Sequence, residues 1–236
     1  MDLYSLIMKE LREREIAFTS LIAPYYICSI GAHIFNLYNR DNPVFFVQGE
    51  PADTRLHILS IANPGFSKTL YIEMFLRGRH AIVRNSDIKV GWFNIMTEAG
   101  FVGTVKNEGG HKIERKGVAW EYRDAIVGIE EFAGLINAMK QQHSTTLRDQ
   151  LLTALDSGWI RKNLSAGELK YQTNLTLWAA TQPLRLDVRS GLARRFLFTL
   201  FLPSDEERLI IKQLRRRGVT VSYTHLRAHE TSLHLV

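Results

Sequence analysis

Residues 55–76, RLHILSIANPGFSKTLYIEMFL, constrain this chain more than any other stretch. Leu56, Ile58, Leu59 and Ile61 predict a short buried strand, Asn63, Pro64 and Gly65 a tight turn, and Lys68-Thr69 the opening of a helix. Strand, turn and helix with Lys-Thr in the first turn is the layout of a phosphate-binding loop. Backbone N–H groups and the positive helix end meet the phosphates, the Lys reaches the terminal ones, and the Thr hydroxyl serves Mg²⁺. Against the pattern G-x-x-x-x-G-K-[ST], this chain has Ala62-Asn63-Pro64-Gly65-Phe66-Ser67-Lys68-Thr69, with Ala62 and Ser67 at the two fixed glycines. A plain strand–turn–helix corner would read the same way, so the choice between them falls to residues downstream.

At 236 residues the chain is long enough for one large domain with a small appendage. The net charge of +6 permits a nucleic-acid partner without requiring one. Cys28 is the sole cysteine, which excludes an internal disulfide and a cysteine-based zinc ribbon, and fits a reducing, cytoplasmic setting. Residues 16–39 carry no formal charge, yet Ser20, Pro24, Ser29, His33 and Asn36 are too polar for a lipid-facing span. Counted from Pro24 in the first turn, Ile27, Ile30, Ile34, Phe35 and Tyr38 share one face, which predicts a half-buried helix of a soluble domain and no membrane partner. Met1-Asp2 has no basic n-region, so no secretory leader is expected.

Along the chain, residues 2–14 predict an amphipathic helix on Leu3, Leu6, Ile7 and Leu11, and Asp41-Asn42-Pro43 ends a helical preface over 1–43. Gly78 stops the helix after the loop, and Ala81-Ile82-Val83 reads as a further strand. Glycines 100, 103, 109, 110 and 117 predict small hairpins across 97–122. A strand over 125–129, a helix over 145–157, a hairpin over 159–173 turning at Ser165-Ala166-Gly167, and a buried strand over 175–180 follow. Residues 190–196 read as helical, 198–202 as a last apolar run, and 205–217 as another helix. Strands alternating with helices predict a doubly wound α/β layer with a parallel sheet.

Residues 221–231, VSYTHLRAHET, resemble the in-frame translation of a transposase-type sequencing adaptor, so 221–236 are set apart from fold reasoning as a non-native tail. His225, His229 and His234 in that tail carry little weight as metal ligands.

Further polar landmarks follow the loop. Residues 125–129 are an apolar run ending in Glu130-Glu131, about 60 residues after Lys68-Thr69. In a phosphate-loop ATPase such a strand is expected beside the first, one acid supporting Mg²⁺ and the next polarising the attacking water. A solvated acidic turn is the alternative. Gln182, in Thr181-Gln182-Pro183, follows a buried strand and can hold that water; a strand-ending turn would also place Pro there. Arg194 and Arg195 lie on a short predicted helix, able to reach a neighbouring subunit's phosphate or simply to complement a helix end.

In order and spacing these landmarks resemble the AAA+ ATPases, in particular the clade with an insert in its second helix, and within it the minichromosome-maintenance (MCM) helicases. The resemblance runs from Ile22-Ala23-Pro24 to about Glu207. It takes in ANPGFSK as the Walker A loop, TEAGFVGTV as the helix-2 insert, GIEEF as Walker B, residues 152–170 as a helix and pre-sensor hairpin, ATQP as sensor 1 and LARRF as the arginine-finger helix. It implies an AAA+ core over 44–203, the start of a truncated helical lid over 204–220, and a ring, hexameric by resemblance, with ATP and Mg²⁺ at subunit interfaces. Carried over by position, residues 63–69 bind ATP, Lys68 holding phosphates. Thr69 and Glu130 serve Mg²⁺, Glu131 is the catalytic base, Gln182 the sensor, and Arg195, then Arg194, the finger. The insert and the hairpin around Lys162 and Lys170 would face the pore, where such proteins grip DNA or a polypeptide.

Ala62, Glu130 and Gln182 depart from the family's usual Gly, Asp and Asn. The family's N-terminal DNA-binding and zinc modules do not precede Pro24, and the lid's second arginine sensor is expected to be missing. Three functions therefore stand as expectations: a DNA-directed motor, a protein-remodelling ATPase similar to MoxR chaperones, and a scaffold that binds nucleotide without turnover.

Overall fold

The structure is a computed structural model that describes residues 2–13, 19–63, 69–77, 81–84, 86–94, 96–132, 134–135, 145–183, 191–201, 205 and 209. In chain order the elements are α1 (Leu3–Glu13), α2 (Thr19–Asp41), β1 (Phe46–Val47), β2 (Glu50–Pro51), β3 (His57–Ala62), α3 (Leu70–Leu76), β4 (Lys89–Phe93), α4 (Glu98–Val102), β5 (Gly103–Glu108), β6 (His111–Lys116) and α5 (Val118–Glu121). They continue with β7 (Ala125–Ile129), α6 (Thr145–Leu155), β8 (Trp159–Leu164), β9 (Gly167–Gln172), β10 (Thr176–Thr181), a 3₁₀ turn (Ala193–Arg195) and β11 (Phe196–Phe201).

The chain divides into two compact units, Met1–Ile27 with Phe201–Val236, and Cys28–Leu200. In the first, Asp2 caps α1 by accepting the Ser5 N–H at 2.8 Å, and Ile7, Met8 and Leu11 are buried. Leu6, expected on that buried face, is exposed. The second unit holds the three hairpins and all of the sheet but Phe201, the last residue of β11.

Five parallel strands form the sheet in the order β11-β3-β10-β7-β4. β3, β7 and β10 are buried along their whole length, as apolar runs covered on both faces must be. Alternation along the strands sorts their side chains. On one face Trp178 packs edge-on to Phe75 of α3 at 5.8 Å, and a Cβ at Gly128 would stand 2.9 Å from Ile72 Cγ2, so glycine lets α3 lie close to the sheet. On the other face Leu59, Ile61, Val127, Ile129, Leu177 and Ala179 share one core with Leu147, Leu151 and Ala154 of α6.

α2 begins more than a turn before Pro24, and of the predicted apolar face Ile30 is buried and Ile27 half-buried while the rest is not. Ser29, His33, Asn36 and Asn39 are buried, whereas Ile34, Phe35 and Tyr38 are exposed. Among the described residues each of these four side chains is hydrogen-bonded, His33 through Nδ1 alone. Ser29 Oγ donates to Leu56 O (2.5 Å) and accepts from Trp178 Nε1 (2.8 Å), His33 Nδ1 meets Thr176 Oγ1 (2.9 Å), and Asn36 Oδ1 accepts from Thr54 N (3.2 Å). Asn39 makes four bonds, accepting from the amides of Val44 and Phe45 and donating to the carbonyls of Phe45 and Ala52. Those bonds seat the β1–β2 hairpin, whose run Val44-Phe45-Phe46-Val47 is exposed.

Residues 81–83 form a turn that donates back to Met74 O and Phe75 O, not a strand. The strand of that region is β4, unpredicted because Gly91 interrupts its pattern. Two hairpins stand beside the sheet: β5–β6, turning at Gly109-Gly110 between short helices α4 and α5, and β8–β9, turning at Ser165-Ala166. Val105, Ala166 and Leu169 make a small core between them, and Tyr171 Oη donates to Val102 O at 2.7 Å. The predicted helix over 205–217 lies outside the described residues apart from Asp205 and Leu209, and the tail over 221–236 lies outside them entirely. Among the described residues no helix is long and apolar enough to cross a membrane.

Candidate functional site

The sheet order departs from the sequence expectation at one informative place. β7 does not pair with β3; β10 lies between them and pairs in parallel with both. From β3 the chain crosses to the far edge at β4, steps back through β7 to β10, then passes β3 to reach β11. The crossovers leaving β3 and β10 therefore depart in opposite directions along the sheet. α3, on the crossover from β3 to β4, and α6, on the oppositely directed crossover from β7 to β10, lie on opposite faces, as right-handed connections require. Neighbouring strands that part in this way open a crevice at their carboxyl ends, the customary ligand position in an open α/β sheet.

Polar residues gather at that edge. β3 ends into Asn63, β10 into Thr181-Gln182, and β7 into Glu130-Glu131. Asn63, Gln182, Glu130 and Glu131 are each partly exposed, directly after strands that are wholly buried. The Glu130 N–H donates to Phe93 O at 3.0 Å, continuing the β4–β7 ladder by one residue. The strand alternation turns Glu130 toward the α3 face and Glu131 toward the α6 face. Thr69 precedes α3, and its side chain makes no capping hydrogen bond. Pro64, Gly65, Phe66, Ser67 and Lys68 lie outside the described residues.

Mg²⁺ keeps several waters and takes one or two carboxylates beside substrate phosphates, so it needs no all-protein cage. One carboxylate on the α3 face, Glu130, and an uncommitted Thr69 hydroxyl at the start of α3 meet that requirement. Among the described residues no cluster of three or more His, Cys, Asp or Glu suited to a metal occurs.

Arg194 and Arg195 fall away from this edge. They precede β11, and Arg195 Nη2 pairs at 2.7 Å with Asp156, whose backbone carbonyl accepts from Arg55 just before β3. The two arginines thus sit at the amino end of the sheet, displaced from the acids of the same chain by about 17 Å along the strands, the rise of five residues, and sideways as well, since β11 and β7 are not neighbours. Arg195 also donates to Gly191 O at 2.6 Å and its guanidinium is largely covered, whereas Arg194 is exposed.

The two lysines expected at a pore separate in the same way. Lys162 Nζ pairs with Glu98 at 2.7 Å with both side chains mostly covered, so it ties the β8–β9 hairpin to α4. Lys170 is on the outer face, its Nζ 6.0 Å from the ring centre of Trp159, which is 51% exposed. Arg161, opposite Lys170 in the register, shares that face and pairs with Glu168.

Residues not foreseen from sequence include His57, buried at the start of β3. Its Nδ1 accepts the Leu177 N–H at 3.0 Å, which leaves Nε2–H to donate to Leu155 O at 3.1 Å. Burial, with a smaller push from Arg55, lowers its pKa to about 3; burial lowers that of His33 to about 4. Thr181 falls within the ATQP landmark, which assigns it no role; it is a buried hydroxyl at the crevice.

No protein-family model matches this chain, and no curated protein is detectably similar to it in sequence.

Proposed function

We propose that the crevice binds MgATP and hydrolyses it, in a ring of AAA+ type resembling the MCM helicases. One observation carries the proposal: β10 lies between β3 and β7, so Asn63, Gln182 and the Glu130-Glu131 pair occupy the carboxyl ends of three adjacent parallel strands at a topological switch point. A solvated acidic turn would need no such company.

In this reading the segment from Asn63 to Lys68 wraps the phosphates and Lys68 neutralises their charge. Thr69 and Glu130 hold Mg²⁺, which when bound supplies charge neutralisation to the β- and γ-phosphates. Glu131 accepts a proton from the attacking water, and Gln182, one strand over, fixes that water by hydrogen bonding. The arginines complete a neighbour's site, since a group a whole strand length away cannot serve its own. Arg194 is favoured over Arg195 for that role, because Arg195 is occupied by Asp156 within its own chain.

DNA is the favoured substrate. The outer face of β8–β9 combines exposed Trp159 with Lys170 and Arg161, an aromatic and basic pairing suited to stacking bases beside a phosphate backbone. Phosphate release with and without single-stranded DNA tests this. Stimulation by DNA that is lost in Trp159→Ala/Lys170→Ala supports a DNA-directed motor; stimulation by an unfolded protein and indifference to DNA would favour the remodelling alternative.

A further inference from the structure

We infer that Thr181 is a positioning residue for the hydrolysis step, its hydroxyl donating a hydrogen bond to the Glu131 carboxylate once nucleotide is bound. The inference rests on the ATPase reading above.

Thr181 is 0% exposed, and its Oγ1 has no hydrogen-bond partner among the described residues. A buried hydroxyl left in that state costs free energy, and most such groups in folded proteins are satisfied. The other hydroxyls on the sheet follow that rule, Thr176 bonding His33 and Ser60 bonding Thr199 at 2.8 Å. Thr181 differs from them in lying at the crevice end of the strand.

Its neighbours follow from the register. Thr181 is opposite Ile61 on β3, and two residues earlier Ala179 is opposite Ile129 on β7. Both pairs belong to the α6 face, through Ile61, Ala179 and Ile129 in its core. Carried two residues past the β7–β10 ladder, the same register sets Thr181 beside Glu131 on that face. Adjacent strands are about 4.8 Å apart, so a short β-branched side chain spans the gap with a small movement of the strand end. Catalytic hydrogen bonds commonly tighten only in the loaded complex. Valine would fill the same volume without an orphan donor, so packing alone gives no reason for threonine here.

Three variants of the full chain test this: Thr181→Val, Thr181→Ser and Glu131→Gln. Thr181→Val should melt at the same temperature as the parent or higher without nucleotide, and bind MgATP with unchanged affinity. Its kcat should fall about 10- to 100-fold with KM little changed, the effect of losing one hydrogen bond to a charged group. Thr181→Ser should recover most of that loss, because it keeps the donor. A Thr181→Val protein with parental kcat, or one that melts lower without nucleotide, overturns the inference while leaving the ATPase reading intact. Failure of the parent chain to turn over ATP overturns the reading, and the inference with it; Glu131→Gln that binds MgATP without turnover separates the two failures.

Discussion

His57 and His33 are held neutral by burial, with pKa values of about 3 and about 4 against 6.5 for a solvated ring. An unfolded chain takes up protons on both rings as pH drops below about 6.5, while the folded chain does so only near pH 3–4. Their contribution is therefore fully present above pH 6.5 and drains away between there and pH 4, at up to ~1.4 kcal/mol per pH unit for each ring. Urea midpoints should decline steadily from pH 7.5 to pH 5; a flat profile would contradict the buried, neutral assignment. The two arginines make a second prediction at this scale. Arg195→Ala should cost about 1–3 kcal/mol of stability by removing a covered guanidinium that bonds Gly191 and Asp156. Arg194→Ala should leave stability within about 0.5 kcal/mol of the parent and reduce ring-dependent hydrolysis. At this scale the sequence was read well for residues that end apolar strands, such as Glu130, Glu131 and Gln182, because a strand stop next to a polar residue is a local signal. His57 was illegible, and Thr181, though inside the ATQP landmark, had no legible role, since the surroundings of both come from strands brought together over long separations.

α2 shows why a periodic element can be assigned correctly and oriented only in part. Its apolar residues predict one face, but the helix buries Ser29, His33, Asn36 and Asn39, each matched by a partner from loop or strand. Hydrophobic periodicity is blind to partners that arrive from elsewhere in the chain. Asn39 is the extreme case, one amide satisfying four backbone positions around β1–β2. Asn39→Ala should destabilise the protein by about 2–4 kcal/mol, measured by urea unfolding, since it removes four backbone partners at once, among them the buried carbonyl of Ala52. Gly158, between α6 and β8, has φ +75°, and a Cβ there would stand 2.3 Å from Thr173 O. Because the obstacle is backbone and φ is positive, Gly158→Ala should destabilise by more than the ~1 kcal/mol that such an exchange gains at a compatible position, and should lower the melting temperature accordingly. Both hairpins were legible through their glycine-bearing turns, whereas β4 was hidden by Gly91.

Across the whole molecule, composition and alternation were enough to predict a parallel α/β sheet, but not its strand order. Nothing local to residues 125–131 or 175–182 reveals that β10 separates β7 from β3. That order is decided by which crossovers can pack on which face, through Trp178 against Phe75 on one side and Leu147 and Leu151 on the other. That order sets Gln182 between β3 and the acids that follow β7. The same geometry leaves Arg194 and Arg195 a strand length away, so in the proposed reading a single chain would hold most of an ATPase site and an arginine from a neighbour would complete it. Hydrolysis should therefore rise faster than linearly with protein concentration at the dilute end, and a strictly proportional rate would argue for a self-contained site. The most direct measurement of the central claim compares MgATP binding and turnover in the parent chain, Lys68→Ala and Glu131→Gln. The account predicts that Lys68→Ala loses binding, while Glu131→Gln binds MgATP as the parent does but releases phosphate at least about 100-fold more slowly. Glu131→Gln turning over ATP at the parental rate would contradict it.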